Sequence, residues 1–264
     1  MKALDNSIKV MVDNLNQILK DNILSIYLYG SYTLNDFKLG WSDIDILVLT
    51  KRELDLVVAE KLLYLRQDLL KSEPRNKFYR SFEGAILSFD GFLTHKKENV
   101  VYWGTKGEKI RDCYVLDSFS MKQLVNNSKL IFGTDVRDRF KEPVFQDLLK
   151  DVLKHYETIR EHARVTGRNV YSFGWFLDIS RCIYTLQTGD IISKTEAGKW
   201  ALKKGLCPDK KVLKSVLKIR GNPSKYLSKK RIMDYAETFG DYVQNYADVL
   251  YFYIKEHKAQ FSVQ

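Results

Sequence analysis

Two aspartates two positions apart, Asp43 and Asp45, open the apolar run Ile44-Asp45-Ile46-Leu47-Val48-Leu49. Side chains at i and i+2 of a strand share a face, so both carboxylates converge while Ile44 turns to the core. Two carboxylates so placed repel each other, and a divalent cation between them resolves the repulsion. Just upstream, Tyr29-Gly30-Ser31 ends another apolar run. A glycine there lets backbone approach a phosphate, and Ser31 adds a hydroxyl and an N–H. Ser42 serves either as a strand cap or as a hydroxyl donor to a phosphate. A third acid, Glu83, lies among Phe82, Gly84 and Ile86, where an idle charge is costly to bury. Its rival Asp90 sits beside Gly91 and reads as a turn acid. A phosphate cradle with three carboxylates points to metal-dependent chemistry on a nucleoside triphosphate. Glu83 is then a further metal ligand or the base that takes a hydroxyl proton.

The elements that must carry these residues follow from periodicity. Residues 4–20 have helical spacing through Ile8, Met11, Val12, Leu15 and Leu19. Residues 23–29 form a strand, followed by the Gly30-Ser31 turn and a brief helix through Leu34 and Phe37. Residues 43–50 form the second strand, 52–70 a helix ended by Pro74, and 78–89 the third strand. Alternating helix and strand make an α/β unit. Beyond residue 115 the pattern is helical. Helices are expected over 144–161, 172–187, from the capping box Ser193-Lys194-Thr195-Glu196 through Leu202, over 210–219, and over 229–257. The expected fold is mixed α+β: an N-terminal α/β domain with a small mixed sheet over 1–140, then an all-helical bundle over 141–264.

Bulk composition sets limits. The chain has 264 residues, 45% hydrophobic and 29% charged, enough for two domains with real cores. No window approaches the roughly 20 apolar residues of a membrane span, and the N-terminus lacks the apolar segment of a signal peptide. Three scattered cysteines, Cys113, Cys182 and Cys207, read as reduced thiols of a cytoplasmic protein. Net charge is +10. Residues 199–231 hold twelve Lys/Arg against one acid, Asp209, a solvated face or a surface for an anion such as a triphosphate or RNA.

Gly-Ser, a gap of about ten residues, then Asp-x-Asp on a strand resembles the DNA polymerase β-like nucleotidyltransferase superfamily. The segment from Arg181 to Lys194, with Ala197, Trp200 and Ala201, resembles the helical domain of the streptomycin/spectinomycin adenylyltransferases, and so does Asn127-Ser128 followed by Ile131-Phe132-Gly133. The resemblance covers most of residues 24–205. It implies an ATP-dependent enzyme with two Mg²⁺ held by Asp43, Asp45 and Glu83. Glu83 would be the base on an acceptor hydroxyl, Gly30, Ser31 and Ser42 the nucleotide seat, and Arg181 and Lys194 the phosphate-binding cations. The implied acceptor is an aminoglycoside antibiotic bound between the domains, with Trp103 and Asp178 as candidate acceptor contacts. The loop before the Arg181 helix, Thr166-Gly167-Arg168-Asn169-Val170, carries no acid, unlike the family pattern. RNA or protein as the acceptor, and a non-catalytic nucleotide-binding module, stay open as alternatives, as do monomer and homodimer; no membrane partner is expected.

Overall fold

The apolar run after the first helix becomes β1 (Ile23–Tyr29), and the aspartate-bearing run becomes β2 (Ile44–Thr50). The structure, a computed structural model, describes residues 2–105 and 107–261. The sheet is completed by β3 (Phe82–Ser88), β4 (Val100–Gly104), β5 (Gly107–Arg111) and β6 (Lys129–Gly133), in the order β5-β4-β3-β2-β1-β6. Only β2 and β3 run parallel; the other neighbours are antiparallel. A parallel pair needs a crossover, which α2 (Leu56–Ser72) supplies. The Asp55 side chain starts that helix by accepting from Val58 N at 2.8 Å.

Period-two alternation divides the sheet into two buried faces. Ile26, Leu28, Ile44, Ile46, Val48, Phe82, Ile86, Val101 and Trp103 pack with α1 (Lys2–Leu19) and α2. Tyr27, Tyr29, Leu47, Leu49, Ala85 and Leu87 pack on the opposite side with Phe92 of α3 (Phe89–Thr94), Leu124 of α4 (Ser118–Asn127) and Phe140. A sheet buried on both faces explains why β1 to β3 read as nearly continuous apolar runs.

Several expectations are corrected. No helix follows Gly30: residues 30–35 are a turn, with Asp36 N donating to Ser31 O at 2.9 Å and Asn35 at φ 54° ending any helical path. The third strand starts only at Phe82, after a 3-10 turn at Tyr79–Ser81, and ends where the Ser88 side chain caps α3. Strand β6 lies beyond residue 115, where only helices were expected.

The chain forms two compact units, one running to Phe37 and from Ser42 to Glu142, the other comprising Lys38–Trp41 and everything from Pro143 onward. The second unit is helical: α5 (Phe145–His162), α6 (Gly174–Thr188), α7 (Lys194–Lys204), α8 (Lys210–Gly221), α9 (Lys230–Glu237) and α10 (Gly240–Phe261). Its core centres on α6: Phe173, at the N-cap, meets Phe239, and Phe176 meets Phe239 and Tyr246, at ring separations of 4.8–5.4 Å. The expected helix over 229–257 is two helices. A Cβ on Gly240 would lie 2.0 Å from Arg164 O, so the chain approaches its neighbour there more closely than a side chain permits. Cys113 is exposed, Cys182 and Cys207 are buried, and all three are free thiols. Among the described residues, no helix is long and apolar enough to cross a membrane.

Candidate active site

Register gathers the acids. Asp45 is opposite Tyr29 on β1 and opposite Glu83 on β3, and paired residues of neighbouring strands share a face. Asp43 precedes β2 by one residue, and all three acids are half-buried. The turn after β1 leans directly on them. Gly30 has φ +69°, and a Cβ there would come within 1.9 Å of Asp45 Oδ2. Only glycine satisfies both the left-handed backbone and that approach. The Ser31 hydroxyl donates to Asp43 O at 3.3 Å, and Ser42 is buried. Gly30, Ser31, Ser42, Asp43, Asp45 and Glu83 thus occupy one end of the sheet.

Tyrosines that sequence reasoning passed over border these acids. The Tyr102 hydroxyl donates to Glu83 Oε1 at 2.9 Å. Its ring lies 4.4 Å from the Arg111 guanidinium and 5.9 Å from the Tyr114 ring. Burial, then the charge and hydrogen bond of Glu83, push the Tyr102 hydroxyl up to about 12, with Arg111 opposing. Tyr29 is raised well above the ordinary tyrosine value by burial, then by Tyr114 and the Asp45 charge. These hydroxyls stay protonated at neutral pH and act as donors. The alternation of β4, with Val101 and Trp103 on one face and Tyr102 on the other, was the available signal.

Carboxylate and hydroxyl oxygens suit a hard cation such as magnesium. Gly30 keeps the space beside Asp45 free of a side chain. Among the described residues, no group of three His, Cys, Asp or Glu side chains stands ready to hold a metal ion. The fit therefore rests on donor type and shared face, not on a closed cage.

Trp103, expected as an acceptor contact, is not with the acids. It pairs with Gly84 on the other face of the sheet, is wholly buried, and donates through Nε1 to Leu62 O at 3.0 Å. It is a core residue.

In the helical unit, Arg181 of α6 and Lys194 of α7 meet at Asp178. Arg181 Nη2 lies 3.1 Å from Oδ1, and Lys194 Nζ 2.9 Å from Oδ2. Ser193 caps α7, accepting from Glu196 N at 3.2 Å, and so fixes where Lys194 starts. Burial works to raise the Asp178 carboxyl, but Lys194, Arg181 and His155 outweigh it and hold it below its ordinary value. Lys194 is lowered, because its burial exceeds the pull of Asp178. Asp178, expected as an acceptor contact, is occupied as counter-ion to both cations. Asp178 thus joins one cation from each of two neighbouring helices.

Of the twelve basic residues in 199–231, all but Arg220 are exposed. Arg220 is buried with its guanidinium 5.4 Å from the Trp41 ring and its Nε donating to Thr195 Oγ1 at 3.1 Å. Lys218, Lys229 and Arg231, with Tyr226 and Tyr235, line a cavity of about 500 Å³.

Residues 11–90 match the nucleotidyltransferase domain family, and residues 142–244 match the C-terminal domain family of aminoglycoside adenylyltransferase. The chain is an aminoglycoside adenylyltransferase-like nucleotidyltransferase. Over 199 residues the enzyme is 29% identical to spectinomycin 9-adenylyltransferase of Campylobacter jejuni, covering 71% of this chain and 74% of that protein. Its fold matches the crystal structure of spectinomycin adenyltransferase from Enterococcus faecialis with ATP and spectinomycin, at a TM-score of 0.64 and 16% identity, covering 95% of this chain and 99% of that one. At that identity the likeness is one of fold.

Proposed function

We propose that the enzyme transfers AMP from ATP to a hydroxyl of an aminoglycoside-type antibiotic, with spectinomycin the first acceptor to test. The observation that carries this reading is the register of β2 and β3, which sets Asp45 opposite Glu83 beside a glycine turn that touches the Asp45 carboxylate. In this reading residues 1–140 seat the nucleotide and the acids, and residues 141–264 complete the nucleotide and acceptor site.

Glu83 takes the proton of the acceptor hydroxyl as its oxygen attacks the α-phosphorus. Backbone N–H groups of the Gly30-Ser31 turn, with the Ser31 and Ser42 hydroxyls, hold phosphate oxygens. Asp43 and Asp45 would hold Mg²⁺, about two ions, which when bound supply positive charge to the phosphate oxygens as they gain negative charge, while Glu83 acts as the base beside them. Arg181 and Lys194 neutralise the departing pyrophosphate. Asp178 orients those two cations and is not itself an acceptor contact. In this reading the enzyme, as a consumer of ATP, works in the cytoplasm.

The test is to incubate the protein with Mg-ATP and, separately, spectinomycin, streptomycin and tRNA, following pyrophosphate release and the mass of the acceptor. Adenylylated spectinomycin or streptomycin is expected. Transfer to tRNA alone, weakening steeply with salt, would favour the exposed basic stretch as an RNA surface and overturn the assigned acceptor.

A further inference from the structure

We propose that Tyr102 is a positioning residue for Glu83, braced by Arg111; the inference rests on the adenylyl-transfer reading and deepens it. Strand β4 runs antiparallel to β3 and pairs Tyr102 with Ala85. Tyr102 therefore rises from the same sheet face as Glu83, which is two residues earlier on β3. Its hydroxyl reaches Glu83 Oε1 at 2.9 Å.

A glutamate side chain has several staggered states, and ordering a rotamer-rich side chain carries an entropic cost. A half-buried glutamate at a strand end keeps part of that freedom unless a partner selects one state. A charge-assisted hydrogen bond from a fixed donor does select one. With Oε1 occupied by Tyr102, Oε2 is the oxygen left to accept the proton of the acceptor. The donor is fixed because its ring is fixed. Arg111 lies over the ring at 4.4 Å, Lys109 Nζ lies 5.9 Å from its centroid, and Tyr114 packs at 5.9 Å. Lys109 and Arg111 alternate along β5, and Lys109 is the register partner of Tyr102. The hairpin of β4 and β5 thus serves as a brace for the base. Small errors in the placement of a reacting group are expensive, with about 1 Å costing up to 10²-fold.

Tyr102→Phe keeps the ring and its Arg111 contact and removes only the hydroxyl. With spectinomycin and Mg-ATP, kcat is expected to fall about tenfold, within the range for misplacement of a catalytic group. KM for ATP and for spectinomycin should stay within about twofold, because neither is held by this hydroxyl. Adding Tyr102→Phe to Glu83→Gln should cause no further loss, since the tyrosine acts only through the glutamate. Arg111→Ala, which leaves the hydroxyl in place, should show a smaller loss in the same kcat.

An unchanged kcat in Tyr102→Phe, with Glu83→Gln inactive, overturns this inference and leaves the base assignment standing. A rise in KM for spectinomycin at constant kcat also overturns it, because it would make Tyr102 an acceptor contact. A wild type that makes no product with either spectinomycin or streptomycin, or a Glu83→Gln as active as wild type, overturns the adenylyl-transfer reading and this inference with it.

Discussion

The acids of the first unit and the cations of the second are assembled by opposite means. Asp45 and Glu83 meet because the main-chain ladder of β2 and β3 brings them into register, and Gly30 meets Asp45 because its turn has no side chain to intervene. Neutralising any one acid leaves that ladder intact. Arg181 and Lys194 sit on different helices and converge on a carboxylate, Asp178, at 3.1 and 2.9 Å. Neutralising that acid removes the attraction that joins them. A site held by backbone hydrogen bonds can carry charge chosen for chemistry, whereas a site held by charge has its stability tied to its protonation.

The largest expected effect is on the backbone-held side. Asp45→Asn should lower kcat/KM by about a thousandfold, the scale of losing one preorganised electrostatic group or more, while its thermal unfolding midpoint moves little. A large drop in unfolding temperature would show that the acid, not the ladder, holds the strands.

Asp178→Asn should do the reverse and lower stability first. It removes the carboxylate shared by two cations whose side chains are 17% and 29% exposed, and partial solvation brings the cost of a broken ion pair down to about 2–3 kcal/mol. Urea unfolding measures it, and a cost near zero would mean that the cations do not depend on their acid.

Trp103→Phe sharpens the contrast within the first unit. It removes the hydrogen bond to Leu62 O and part of a wholly buried side chain, at about 2 kcal/mol of stability. KM for the acceptor should not change; a rise would return Trp103 to the site.

The smallest effect is in pH. Asp178 is held below its ordinary value, so its contribution is complete above the unfolded carboxylate pKa of about 4 and is lost as pH falls through the lower folded value. The stability gap between wild type and Asp178→Asn should be constant above about pH 5 and close as pH drops below about 3. A gap that is constant to low pH would contradict the ion-pair account.

Legibility in the sequence followed the same division. Strand β1 was readable to its ends, and β2 nearly so, because strands buried on both faces are written as unbroken apolar runs. The Ser193 cap was readable because capping chemistry is local. The outer strands were not. In β5, Gly-Glu-Lys-Ile-Arg carries too little apolar alternation, and β6 at the other edge is only half-covered. Gly240 interrupts the last helical stretch for a reason visible only in three dimensions, the nearby Arg164 carbonyl. The hydrogen bond from Tyr102 to Glu83 depends on the pairing of β3 with β4, which no spacing along the chain encodes. Trp103 misled because an aromatic residue at the right distance in sequence lay one position out of phase with the acid face.

The central claim is that acids brought together by strand register perform the transfer, with Glu83 taking the acceptor proton. Rapid-quench measurement of adenylylated spectinomycin at saturating Mg-ATP, comparing wild type with Glu83→Gln, tests it most directly. The account predicts product from the wild type and a rate lower by about 10²–10⁴-fold in Glu83→Gln with ATP binding preserved. Equal rates in the two proteins would contradict it.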